Sequence, residues 1–332
     1  MTHARVAAVG SALPERVVTN DELSKLVDTS DEWIRSRTGI RARRFAGEGE
    51  TAASMAAEAG ARAMEAAGID PGAVDMTVVA TVSGDQPLPS TASFVQDRLG
   101  ITGAAFDLAA ACAGFIYATE VGRAQIATAG AETVLVAGTE VLSRFLDFTD
   151  RTTCVLFGDG AGAAILVPGE EPGVIGSILE NQGQHAHLLE IPAGGSADPA
   201  SAETVARKDH AIRMEDGKEV FKRAVVGMAD ACARLLEKSG FTPDDVSLLV
   251  PHQANGRIIT SVAQRLSFPM DRVFVDLETV GNTSAASVPI AMDHAWRQGR
   301  LQPGDLILTV AFGAGLAYGA NLIRWTAEAP RG

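Results

Sequence analysis

The chain repeats itself at long range, and this duplication limits the available folds more than any other feature. Gly68, Pro71, Val74, Met76 and Val78 align without gaps with Gly240, Pro243, Val246, Leu248 and Val250, 172 positions later. Val273–Leu277 matches Ala104–Leu108, Leu306–Val310 matches the apolar run at Val134, and Gly319–Ile323 matches Gly162–Leu166. One such match can arise by chance, but four in the same order indicate a duplicated α/β unit. The continuous apolar runs, separated by helix-patterned stretches, predict buried, mostly parallel strands with helices packed on them. The expected organisation is two halves, 1–170 and 171–332.

A duplication also says where side chains from distant segments can meet. The predicted strand Ala104–Leu108 leads to Ala110-Ala111-Cys112-Ala113-Gly114, followed by a helix-friendly stretch to about Ala129. A thiol on a strand-to-helix turn sits near unpaired N–H groups that favour a thiolate. The strand Leu248–Val250 ends in Pro251-His252-Gln253-Ala254-Asn255, and Val273–Leu277 leads to Gly281-Asn282-Thr283-Ser284. Singly, Cys112 reads as a small core residue, His252 as a hydrogen-bonded interior imidazole and Asn282 as a turn former. Placed together by the repeat, they read as a nucleophile, a base or donor, and an amide donor.

The remaining sequence adds helices and a basic cluster. Thr19-Asn20-Asp21-Glu22 and Ser30-Asp31-Glu32-Trp33 read as capped helix starts. Thr51–Ala67 reads as a small-residue helix closed by Gly68, and Lys218–Lys238 as a helix with one buried face. Arg35, Arg37, Arg41, Arg43 and Arg44 crowd beside Trp33, which suggests a phosphate-bearing ligand with a ring to stack, or else a solvated charged face. Glu170–Asp216 reads as the loosest region, with a strand near Val174–Leu179 followed by a long surface excursion. Phe157-Gly158-Asp159-Gly160 leads into a strand and lacks a lysine, so it is a poor phosphate loop.

With 46% hydrophobic and 21% charged residues the chain is neither disordered nor a disulfide scaffold. Three scattered cysteines form no metal pattern and fit a reducing cytoplasm. The first apolar stretch is too short for a secretion signal, and no run is long enough to span a membrane. A net charge of −13 argues against nucleic acid as a partner.

At these residues the sequence resembles the thiolase-fold condensing enzymes, specifically the β-ketoacyl-[acyl-carrier-protein] synthase III family, over essentially its whole length. The motifs are the Cys112 turn, His252-Gln253-Ala254-Asn255, Gly281–Ser287 and Phe312-Gly313-Ala314-Gly315, with Asp31–Ile34 and Arg37–Ile40 as an N-terminal signature. The resemblance implies a layered αβαβα fold and no metal or permanently bound cofactor. It implies transfer of an acyl group from an acyl-CoA to Cys112 as a thioester. Decarboxylative condensation with malonyl-carrier protein would then give a 3-oxoacyl-carrier protein. It assigns the oxyanion donors to the backbone of Cys112 and Ala314, and the donors to the malonyl thioester to His252 and Asn282. It further implies that Trp33 and Arg151 sandwich the CoA adenine, that Arg37 and Thr38 contact nucleotide or phosphate, and that Gly217, Phe221 and Asn255 line the pantetheine tunnel. Lys222, Arg257 and Arg265 would form a basic patch for the acidic carrier protein, and the enzyme would be a homodimer. Thr152 and Lys218 depart from the family's Gly and Asn, and Leu88 stands where a Phe often reaches across the dimer to the partner's acyl pocket. The alternatives are a related acyltransferase or starter-unit enzyme of polyketide and secondary metabolism, and a non-catalytic thiolase-fold binding subunit.

Overall fold

A computed structural model describes residues 2–328. In chain order, β1 (His3–Ala12) is followed by the short pair β2 (Val17–Thr19) and β3 (Ala42–Arg44), which enclose α1 (Asn20–Leu23) and α2 (Asp31–Thr38). Next come α3 (Ala52–Ala67), β4 (Met76–Ala80), α4 (Thr91–Leu99), β5 (Ala104–Leu108), α5 (Gly114–Ala127), β6 (Val134–Glu140) and β7 (Gly160–Gly169). The second series is β8 (Val174–Asn181), β9 (Leu189–Glu190), α6 (Ala202–Ala206), β10 (Arg213–Met214), α7 (Gly217–Ser239) and β11 (Leu248–Pro251). It ends with α8 (Gly256–Arg265), α9 (Leu277–Val280), α10 (Ser287–Arg297), β12 (Leu306–Gly313) and β13 (Ala317–Arg324).

Local chemistry sets these boundaries. Ser30, Thr51, Ser90 and Asp216 each cap the N-terminus of the following helix through the side chain, and Gly39, Gly68, Gly100 and Gly240 end the same helices in the left-handed region.

The duplication is visible in the sheets. One is ordered β1-β7-β6-β4-β5 and the other β8-β13-β12-β11, so each strand of the second has a counterpart in the first. The counterpart of β5 is missing. The stretch Val273–Leu277, expected as a strand, makes one bridge, Leu249 to Val273, and then turns into α9. The cause is local, because the amides of Asp276 and Leu277 donate to Gln253 Oε1 and are withdrawn from any ladder. The sheets are mixed, which corrects the expectation of mostly parallel strands. β4 runs parallel to β5 and β6, and β11 parallel to β12, whereas β7 and β13 are antiparallel to both of their neighbours. β12 and β13 are joined by the three-residue turn Ala314–Leu316, and so short a link permits only an antiparallel pair.

Helices form three layers about the two sheets. α3 packs on β1, β6 and β7, while α7 packs on β8, β12 and β13. α5 and α10 lie between, touching both sheets. β6 and β12 are buried along their whole length, as expected of central strands. β5, expected to be buried, is an edge strand with Ala104, Phe106 and Asp107 exposed. The layered α-β-α-β-α arrangement brings the ends of β5, β11 and β12 to one place.

Candidate active site

Cys112 sits in the 3-10 turn Ala111–Ala113, between the end of β5 and the first turn of α5. Ala111 adopts φ 44°, a left-handed conformation that costs energy in a residue with a Cβ. The backbone of Cys112 is pressed from behind by β12. A Cβ on Gly313 would lie 2.5 Å from the Cys112 nitrogen, so only glycine fits. Outside the bonds internal to helices and strands, neither Cys112 N–H nor the neighbouring Ala314 N–H donates to a backbone carbonyl among the described residues, which makes both amides candidate donors to an oxyanion beside the sulfur.

His252 follows β11 and is 1% exposed, and its N–H donates to Val310 O at 2.7 Å. The next side chain fixes this loop: Gln253 Nε2 donates to Pro251 O and Phe274 O, and Oε1 accepts from the start of α9. Asn282 is held by its backbone, which donates to Leu156 O and accepts from Gly158 N–H. Its Oδ1 accepts from Ser284 N–H at 2.9 Å, so the amide N–H₂ end is what Asn282 offers outward.

These three residues line one cavity of about 140 Å³, with Gly217, Phe221 and Asn255 also in its wall. The rest of the wall is largely apolar, including Phe157, Met214 and Phe312. A second cavity of about 300 Å³ also opens on Cys112, between Val82, Leu142, Leu189, Ile191, Ile212 and Ala314. Cys112 thus lies where two apolar chambers meet.

Burial sets the charge state. It pushes the Cys112 thiol up to about 12 and the His252 imidazole down to about 3. The resting pair is a neutral thiol and a neutral imidazole, which corrects the expectation that the turn would hold a thiolate. A neutral imidazole can donate one hydrogen bond into the cavity without adding charge.

The residues expected at the nucleotide lie beside this cavity. Asn255 Nδ2 donates to Arg37 O at 3.1 Å, tying the cavity wall to the end of α2. The guanidinium groups of Arg37 and Arg151 stand over the Trp33 ring at 5.7 and 5.3 Å. A planar ring between Trp33 and Arg151 needs two stacking distances, roughly 7 Å, so the two side chains must part to admit one. Thr38 is buried and its hydroxyl is already engaged, donating to Ile34 O and accepting from Ile40 N–H. That side chain shapes the end of α2, and no free hydroxyl is left for a phosphate. The arginine cluster also divides: Arg35 pairs with Asp31, Arg41 with Glu278, and Arg44 donates to Pro14 O. Arg43 is buried and donates to Val18 O, Asn20 Oδ1 and Val155 O. Of the five, Arg37 remains beside Trp33. Thr152 donates to Asp150, and Lys218 sits in the first turn of α7.

Lys222 on α7 and Arg257 and Arg265 on α8 are exposed on two helices that pack together, and the Arg257 guanidinium stands over the ring of the cavity-lining Phe221, 5.7 Å from its centre. Leu88 is 82% exposed and lines neither cavity of its own chain.

Sequence reasoning missed two parts of this site. Leu189, Ile191, Ile212 and Met214 come from the region read as loose, where β9 pairs with β10 over the cavities. Their signal was the alternation of apolar residues within a polar stretch. The other is Glu140, fully buried at the end of the otherwise uncharged β6. An acid ending an apolar strand was a readable sign.

Among the described residues no group of three or more His, Cys, Asp or Glu could hold a metal ion. No helix is long and apolar enough to cross a membrane.

The layered fold and a Cys-His-Asn cavity define a thiolase-fold condensing acyltransferase. Residues 106–183 match the 3-oxoacyl-[acyl-carrier-protein (ACP)] synthase III profile, and residues 236–325 match the C-terminal profile of the same family. A β-ketoacyl-[acyl-carrier-protein] synthase III of Caldanaerobacter subterraneus subsp. tengcongensis is 49% identical over 97% of this chain and 98% of its own. The crystal structure of 3-oxoacyl-[acyl-carrier-protein] synthase III from Aquifex aeolicus VF5 superposes with a TM-score of 0.89, at 43% identity, covering 97% of this chain and all of that one, a share of 100%. The priming β-ketosynthase from the R1128 polyketide biosynthetic pathway superposes with a TM-score of 0.91 at 38% identity, covering 99% and 97% of the two chains. The chain belongs to the β-ketoacyl-[acyl-carrier-protein] synthase III family, whose role is in fatty acid biosynthesis.

Proposed function

We propose that the enzyme primes fatty acid synthesis by joining an acyl group from acyl-CoA to the two-carbon unit of malonyl-acyl carrier protein. Cys112 sulfur attacks the thioester carbonyl, CoA leaves as a thiol, and the acyl group stays on Cys112. Malonyl-carrier protein then loses CO₂, and the carbanion attacks the Cys112 thioester to release 3-oxoacyl-carrier protein. The observation that carries this reading is the single cavity shared by Cys112, His252 and Asn282, with a second apolar chamber beside the sulfur. The larger chamber would hold the acyl chain and the narrower one the pantetheine arm. The amides of Cys112 and Ala314 would hold the thioester oxygen as it gains charge, and His252 and Asn282 the malonyl thioester oxygen. Arg37, Arg151 and Trp33 would grip the nucleotide, and Lys222, Arg257 and Arg265 would steer an acidic carrier protein towards an enzyme whose net charge is −13. The open edge of β5 would pair with that of a second copy, bringing Leu88 to the partner's acyl chamber. A reducing cytoplasm suits its three free cysteines.

The test is intact-mass measurement after mixing with a panel of acyl-CoAs, followed by malonyl-carrier protein with CO₂ detection. Acylation at Cys112 and stoichiometric CO₂ are expected. A protein that never gains acyl mass refutes the reading. The likeness to a priming ketosynthase of a polyketide pathway favours a second reading, a starter-unit enzyme of secondary metabolism. An acyl-enzyme that forms but releases no CO₂ from malonyl-carrier protein selects instead a related acyltransferase that passes the acyl group to another acceptor.

A further inference from the structure

Glu140 is the one feature beside the sulfur that the reaction above leaves without a task. Its carboxyl is 0% exposed at the end of β6. Oε2 accepts from Ser83 Oγ at 2.5 Å, Val82 N–H at 3.2 Å and Thr81 Oγ1 at 3.3 Å, while Oε1 accepts from Ser284 Oγ at 3.1 Å. No lysine, arginine or histidine is among the groups that shift it. A buried carboxyl surrounded by donors, with no cation, is costly to keep for stability alone. Ser284 belongs to the Asn282 turn, is held at φ 48°, and shares the second chamber wall with Cys112. Its one hydroxyl proton is committed to Glu140, so what Ser284 Oγ can offer Cys112 across the chamber wall they share is a lone pair. Ser83 Oγ in turn accepts from Val141 N–H, so its own proton points to Glu140 and the carboxyl is fixed from behind.

We propose that Ser284 and Glu140 form the path by which Cys112 loses its proton during acylation, with Glu140 as a positioning and proton-holding residue that never touches substrate. The inference rests on the acyl-transfer reading above. As the sulfur attacks the acyl-CoA carbonyl, the thiol proton passes to Ser284 Oγ while the Ser284 proton passes to Glu140 Oε1. The Cys112 S–C bond forms, the C–S bond to CoA breaks, and the same proton returns to the departing CoA sulfur. Nothing is oxidised and no co-reactant is needed.

The charged or titratable groups around the sulfur are Glu140 from β6, His252 from the loop after β11, and the exposed Glu190 of β9 in the wall of the second chamber. Burial, offset in part by the Ser83, Val82 and Ser284 hydrogen bonds, raises Glu140 to about 7, while His252 lies far lower, at about 3. A basic limb near neutrality therefore belongs to Glu140.

The experiment measures Cys112 acylation by acetyl-CoA and its alkylation by iodoacetamide from pH 5.5 to 9, read by peptide mass, in wild type, Glu140→Gln and Ser284→Ala. Wild-type rates should rise through about pH 7 and level off. Both variants should lose that limb, with rates at pH 7.5 lower on the order of a hundredfold. Variant profiles that superimpose on wild type overturn the proposal. So does a wild-type alkylation profile with no limb near 7, which holds even if neither variant folds. If wild type alkylates with the expected limb but accepts no acyl-CoA, the acyl-transfer reading fails and the proton path stands.

Discussion

On the proposed mechanism, three side chains around the sulfur divide two tasks. Cys112→Ala should abolish acylation and condensation alike, as intact mass and CO₂ release will show. His252→Ala and Asn282→Ala should keep acylation yet slow condensation about a hundredfold each, since each removes one donor worth roughly 3 kcal/mol to a developing negative charge. Condensation at wild-type rate in both would remove them from the mechanism. These three residues were legible because each follows an apolar run at a position the repeat makes neighbouring. Glu140 was not, since its meaning lies in hydroxyls more than 50 positions away in sequence, at Ser83 and Ser284. Thr38 was misleading for the opposite reason: its motif is intact, yet Ile34 and Ile40 take up its hydroxyl.

Among the elements, close approach between the halves controls stability. A Cβ on Gly138 of β6 would lie 2.2 Å from Ala285 O in the turn before α10. Gly138→Ala should cost about 1–3 kcal/mol by forcing that turn outward, seen as a lower urea midpoint. On α10 itself, burial draws the His294 proton affinity down, but the 2.8 Å contact with Asp276 and its charge outweigh this, and the net shift is upward. Protonated His294 therefore contributes stability that is complete below about pH 6.5 and fades as pH rises past the raised folded value. His294→Gln should flatten the fall in urea midpoint across that window, and an unchanged slope would contradict the assignment. Helix ends and central strands were readable from caps, glycines and apolar runs. The strand lost at Val273–Leu277 was not, because its pattern is that of a strand and only Gln253, from another segment, diverts it.

For the whole molecule, pairing at the β5 edge makes a definite prediction. Phe106 is 38% exposed there, and Phe106→Lys should convert a dimer into monomers in analytical ultracentrifugation. Leu88→Phe should narrow the accepted primers towards acetyl-CoA in the assembled enzyme, and an unchanged preference would detach Leu88 from the chamber. The duplication announced two matching halves, but not which rim stays open, because the Gln253 side chain, which accepts from the Asp276 and Leu277 amides, decides it. A faithful copy of the first half would have left the molecule with two such rims. Subunits that can join at both ends polymerise without limit, whereas those that join at one stop at a pair. If the β5 edges pair as proposed, the vanished strand sets a ceiling on assembly size, because the matching border of the second sheet carries the single bridge Leu249 to Val273 in place of a strand that a further copy could extend.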